Sequence, residues 1–134
     1  TGNASPDQVN RVFRHAIGAW GHRFAFHGHD TYGMGVANVM AAWEAGCRVF
    51  DSAAGGIGGS PLPPAAPRHD ATAGGDRATG NVATEDVVWM CGRMGVRTGV
   101  DWSRLLVAAD MAAAIPGAVP GGRMRAVPAA RIAA

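Results

Sequence analysis

There is no lysine in this sequence: all twelve basic side chains are arginines. A lysine Schiff base and a P-loop lysine are therefore excluded within these residues. The arginines are dispersed rather than clustered, and the net charge is only +2, so nothing forms a basic stripe for nucleic acid. Cysteine is scarce as well. Cys47 and Cys91 have no CxxC spacing and sit in apolar, periodic surroundings. They read as buried free thiols of a reducing cytoplasm rather than a disulfide. No run of eighteen apolar residues occurs, so no membrane span is implied. The opening Thr1-Gly-Asn-Ala-Ser5 does not have the pattern of a signal peptide, and reads as a chain entered midway.

What is present alternates. Ser5-Pro-Asp-Gln8 has a capping serine, a proline suited to the first helical position and a glutamine that completes a capping box. Val9, Val12, Phe13, Ala16, Ile17 and Trp20 then recur at helical spacing, and Gly21 stops the run. Residues 23–29 read as a strand. A second helix runs from Gly35 to about Ala45, with Val36, Val39, Met40 and Trp43 on its apolar face, and residues 48–52 form a second strand. The Pro/Ala/Gly-rich stretch up to Gly80 has no periodicity and reads as a mobile loop. Thr84 is placed to cap a third helix, with Glu85 and Asp86 in its positive first turn. Asp101 caps a fourth helix that closes at Pro116-Gly117. Helix–strand–helix–strand order argues for parallel β/α units, in which chemistry sits at the C-terminal ends of strands. His27, His29, Asp30 and Asp51 lie there.

His27 and His29 are two apart on the first strand, so they share a face, roughly 6.6 Å apart along it. Two imidazoles converging at a strand end can hold one cation. H-x-H alone is weak, and two ordinary core or surface histidines are an equal alternative.

The surrounding residues extend the motif. Phe26-His-Gly-His-Asp-Thr-Tyr-Gly33 is followed by Ala37-Asn38, Glu44-Ala-Gly46, Val49-Phe-Asp-Ser52, Gly55-Gly-Ile-Gly-Gly59 and Thr79-Gly-Asn-Val-Ala-Thr-Glu-Asp-Val-Val88. This ordered set resembles the hydroxymethylglutaryl-CoA lyase family, metal-dependent (β/α)8-barrel enzymes that cleave a carbon–carbon bond beside an acyl-CoA. The related isopropylmalate and homocitrate synthases usually carry Asn-Gly-Ile-Gly-Glu-Arg at the glycine loop, which is absent here.

The resemblance implies an α/β fold that is the C-terminal portion of a TIM barrel, since a whole one needs ~250 residues. Residues 1–117 would belong to it, with 62–78 as a loop insertion and 118–134 as a flexible tail. It implies that His27, His29 and the amide oxygen of Asn81 hold Mg²⁺ or Mn²⁺, an ion suited to mixed imidazole and oxygen donors. His27 would also carry the substrate hydroxyl proton. Asp30 would orient a ligand or cap the next helix, and Asp51 is read only as a hydrogen-bond acceptor at a strand end. An acyl-CoA substrate and a homo-oligomer when full length follow in the same way; the cytoplasmic location and the lack of a nucleic-acid or membrane partner rest on the cysteines, the charge and the hydropathy above.

Three departures from the family pattern stand out. Ser60 occupies the position of the family's proton-transferring cysteine, and a hydroxyl is a far weaker acid than a thiol near pKa ~8.5. The stretch after it is about a dozen residues longer, with His69 and Asp70 read as solvated loop residues. The family's N-terminal Arg-Asp motif has no counterpart in these 134 residues. Three readings therefore stand: a hydroxymethylglutaryl-CoA lyase-like enzyme giving acetyl-CoA and acetoacetate, a related condensing synthase or aldolase, or an inactive fragment.

Overall fold

Helix α1 (Pro6–Trp20) begins where its local sequence dictates. In the computed structural model, which describes residues 2–58 and 80–127, Ser5 Oγ accepts from Gln8 N, and the Gln8 side chain accepts from Ser5 N. Those two bonds satisfy donors that a helix start leaves orphaned. The helix lies on α2 (Gly35–Glu44) and presents Val9, Phe13, Ala16 and Ile17 to the interior. The expected apolar face is narrower than its periodicity implied. Val12 and Trp20 are exposed, because Val12 lies at the margin of the stripe that α2 covers and Trp20, in the last turn, rests on Phe24 and His15.

The two strands are shorter than the sequence pattern. β1 is Ala25–His27 and β2 is Val49–Asp51. They pair in parallel, Ala25 opposite Val49, Phe26 opposite Phe50 and His27 opposite Asp51. Past the strand ends, residues 80–84 lie between the segments that follow β1 and β2. Val82 N donates to Gly28 O and Asp30 N to Gly80 O on one side; Ala53 N donates to Val82 O and Thr84 N to Ala53 O on the other. The backbones approach so closely that a Cβ on Gly80 would stand 1.9 Å from Gly56 O. Only glycine fits there.

Helix α3 (Thr84–Arg93) starts differently from the expectation. Thr84 is inside the helix, the N-cap is Ala83, and no side chain caps it. The Thr84 hydroxyl instead meets Ser52 Oγ at 2.8 Å. Glu85 and Asp86 are buried rather than set in a solvated first turn. Glu85 Oε2 accepts from Gly55 N at 3.0 Å, and the Asp86 carboxylate accepts from Arg123 N and Met124 N at 3.0 and 2.8 Å. These long-range bonds outcompete local capping because they satisfy buried backbone donors. They also alter the expected tail: residues 118–127 run back along the fold, Gly121 N donates to Gly55 O, and Met124–Ala126 form a 3₁₀ turn. The rest of the tail, and the 62–78 insertion, lie outside the described residues.

Helix α4 (Trp102–Ala113) begins at Asp101 as its sequence predicts, with Asp101 Oδ1 accepting from Arg104 N at 3.0 Å. The core gathers Val9, Phe26, Val39, Ala41, Ala42, Cys47, Val82 and Val87, with Phe13, Val36 and Phe50 packed against it. Both cysteines are free thiols, Cys47 buried and Cys91 partly so. The result is an α/β arrangement in which one face of the paired strands is covered and the other, bearing Ala25, His27, Val49 and Asp51, is exposed.

Candidate metal centre

The exposed strand face brings the two histidines together. His27 ends β1, and one extended residue later His29 forms an antiparallel bridge with Asn81. Gly28 between them is a necessity, since a Cβ there would meet the Phe26 ring at 2.5 Å. The pleat puts both rings on one side, and their Nε2 atoms approach to 3.3 Å with the planes at 71°.

The other nitrogen of His27 is held. Nδ1 lies 2.8 Å from Asp51 Oδ2, a contact made possible by the parallel register that sets His27 beside Asp51. A carboxylate there keeps the proton on Nδ1 and leaves the Nε2 lone pair facing His29. Asp51 is therefore more than an acceptor at a strand end: it fixes the tautomer and angle of the ring. The sequence placed both residues at strand ends. Register, which pairs them, is a tertiary property that no spacing reveals.

Asn81 sits beside this pair. Its Nδ2 donates to Ile57 O at 3.1 Å, which commits the amide nitrogen and leaves its oxygen as the donor atom a cation would take. Among the described residues no group of three or more His, Cys, Asp and Glu side chains surrounds one point. The arrangement offers two imidazoles and one amide.

The two imidazoles fit neighbouring positions of a six-coordinate divalent ion. Donors ~2.1 Å from one octahedral centre stand ~3.0 Å apart at neighbouring vertices. The 3.3 Å Nε2 separation is close to that. The site is open: the His27 and Asp51 side chains are 51% and 65% exposed. Asp30 is not part of it. Its Oδ1 accepts from Gly35 N at 2.6 Å, steadying the start of α2, and its Oδ2 is 3.9 Å from Arg123. Ser60, His69 and Asp70 lie outside the described residues. By sequence Glu85 is only a helix-start charge, but it pins Gly55 at the root of the glycine-rich segment; its position after Thr84 gives no sign of that contact.

Comparison with known proteins places this geometry in context. The sequence model of the family described as HMGL-like matches residues 1–112. The (R)-citramalyl-CoA lyase of Chloroflexus aurantiacus is 40% identical over 118 residues, covering 87% of this chain and 33% of its own length. A hydroxymethylglutaryl-CoA lyase of Bacillus subtilis is 38% identical over 109 residues, covering 81% of this chain and 32% of its own. Among solved structures, an HMG-CoA lyase of Acinetobacter baumannii, in complex with coenzyme A and 3-methylmalate, matches with a TM-score of 0.75 at 35% identity. That match covers 92% of this chain and 37% of the other. The chain thus spans about a third of the length of the relatives it matches.

Proposed function

This chain belongs to the HMGL-like family, and from that premise we propose that it carries the metal site of a carbon–carbon lyase acting on a 3-hydroxy-acyl-CoA. The observation that carries the reading is the convergence of His27 Nε2 and His29 Nε2 at 3.3 Å, with Asp51 holding the first ring. Strands covered by helices on one face and bare on the other are what a segment of a (β/α)8 barrel presents, with the site at the C-terminal ends of its strands. The complete barrel, the cytoplasmic setting and a homo-oligomeric state belong to the same proposal. Among the described residues no helix is long and apolar enough to cross a membrane.

His27, His29 and the Asn81 oxygen would hold Mg²⁺ or Mn²⁺. When bound, such an ion polarises the tertiary alcohol of the substrate and a neighbouring oxygen, lowering the barrier to alcohol deprotonation. The protein's part is positional. Asp51 orients His27, the Ile57 carbonyl orients Asn81, and Glu85 ties the glycine-rich segment to α3. Nδ1 of His27 is committed to Asp51, so holding an ion and carrying the hydroxyl proton compete for the one atom Nε2. We assign His27 the ligand role. Its proton-carrying role is the second reading, favoured by the Asp51 carboxylate, which holds the Nδ1 proton and leaves Nε2 to meet a substrate hydroxyl. Ser60, at the cysteine position of the family, is the weak element of the proton path.

The substrate is proposed as hydroxymethylglutaryl-CoA, cleaved to acetyl-CoA and acetoacetate. The 40% identity to a citramalyl-CoA lyase over 87% of this chain favours a second acyl group, (R)-citramalyl, cleaved to acetyl-CoA and another keto acid. The test is to complement this chain with the N-terminal two thirds of the Bacillus subtilis relative and supply each thioester with Mg²⁺. Acetyl-CoA release from either substrate, abolished in His29→Ala, supports the lyase reading. A complemented protein that binds Mn²⁺ and cleaves neither would overturn it.

A further inference from the structure

On the side of β2 opposite Asp51, the chain forms a groove of about 460 Å³ between β2, α2, α3 and the segment 96–100. Side chains alternate along a strand, so Phe50 and Ser52 face this groove while Asp51 faces the histidines. Its volume is within the ~300–1,000 Å³ range of small-molecule sites.

Among the described residues the lining is charged in one sense only: it includes Arg48 and Arg97 and no aspartate or glutamate. Arg48 is immobilised: one guanidinium nitrogen donates to Trp43 O and Cys47 O at 2.8 and 2.7 Å, and the group stacks over the Trp43 ring at 5.3 Å. Arg97 is exposed, and among the described residues it has neither a hydrogen bond nor an ion pair. Phe50 and Val87 supply apolar wall. Ser52 and Thr84 share one hydrogen bond between two hydroxyls, so one O–H of the pair remains to donate. Cys91 also lines the groove, and burial pushes its thiol pKa up, keeping it protonated. Apolar walls, spare donors and two cations with no carboxylate beside them among the described residues are complementary to an anion with an apolar body.

We propose that this groove binds a small organic carboxylate with an apolar chain, its head at Arg97 and Arg48 and its body against Phe50 and Val87. The site is separate from the histidine pair and does not rest on the lyase reading. The probe is octanoate, compared with octanol, against the 134-residue chain at low salt. Binding is read by calorimetry and by slowed alkylation of Cys91 with iodoacetamide, located by mass spectrometry. Octanoate is expected to protect Cys91. Arg97→Gln should weaken octanoate by up to ~5-fold, the scale of an exposed ion pair, and Arg97→Lys should recover most of that loss. Arg97 is exposed, and circular dichroism checks that each variant keeps its fold. Octanol binding as tightly as octanoate, or an unchanged affinity in Arg97→Gln, overturns the proposal. So does Cys91 protection without ligand that fades on dilution, which would mean that a second copy of the chain fills the groove.

Discussion

Along β1 and β2, Phe26 points into the hydrophobic core and Phe50 packs against it, whereas Ala25, His27, Val49 and Asp51 point out from it. Neighbours on the same three-residue strand thus have opposite surroundings. On the covered face, what counts is volume: Phe26 meets Phe13 at 5.8 Å and Phe50 at 6.4 Å between ring centres, and replacement leaves a hole. On the open face, what counts is direction, because His27 makes its contacts with Asp51 and His29 rather than with a core. One face carries the stability of the fold and the other carries its candidate chemistry, so the two should respond to different measurements.

The largest expected effect is on the covered face. Phe26→Ala should lower unfolding stability by ~3–5 kcal/mol, the usual range for a buried phenylalanine, whereas Val49→Ala on the open face should stay within ~0.5 kcal/mol. Urea midpoints for the two variants decide it; similar losses would mean that the open face is also packed. On that open face, His29→Ala should weaken Mn²⁺ binding at least ~10-fold, and Asp51→Asn should do so to a lesser degree, in line with the effect of lost support to a ligand. His69→Ala should change nothing. Mn²⁺ titration followed by electron paramagnetic resonance checks all three, and an equal loss at His69 would remove His29 from the ligand set.

In the complemented enzyme, Ser60→Cys should raise lyase turnover by at least ~10-fold, equivalent to ~1.4 kcal/mol of barrier. Keto-acid release at saturating Mg²⁺ reads it. An unchanged rate with metal still bound would mean that the cleavage does not use a thiol at this position. The smallest effect belongs to a helix end away from both faces. The Ser103 hydroxyl, and then the Arg104 N–H, hold the Asp101 carboxyl below its ordinary pKa. A carboxyl whose pKa is depressed in the folded state stabilises the fold above its unfolded value and loses that contribution as pH falls through the folded value. The melting-temperature gap between the parent chain and Asp101→Ala should therefore be present at neutral pH and close on acidification. A gap independent of pH would assign the cap to shape rather than charge.

Residues three or four apart determined as much of this protein as they could reach. Ser5 with Gln8 and Asp101 with Arg104 make their bonds within one helical turn, so the starts of α1 and α4 were legible from the sequence. So was the shared side of His27 and His29, because a strand has a period of two. Thr84, Glu85 and Asp86 show where that reach ends. By spacing they are a helix cap and its first turn, yet their oxygens meet Ser52, Gly55, Arg123 and Met124, thirty or more residues away. Val12 and Trp20 obey the period of α1 and are still exposed, since periodicity defines a face but not what covers it. The partnership of Asp51 with His27 is of the same kind, set by the parallel register of two strands separated by a helix. Local backbone geometry decides which way a side chain points; only the closure of the chain on itself decides what it meets.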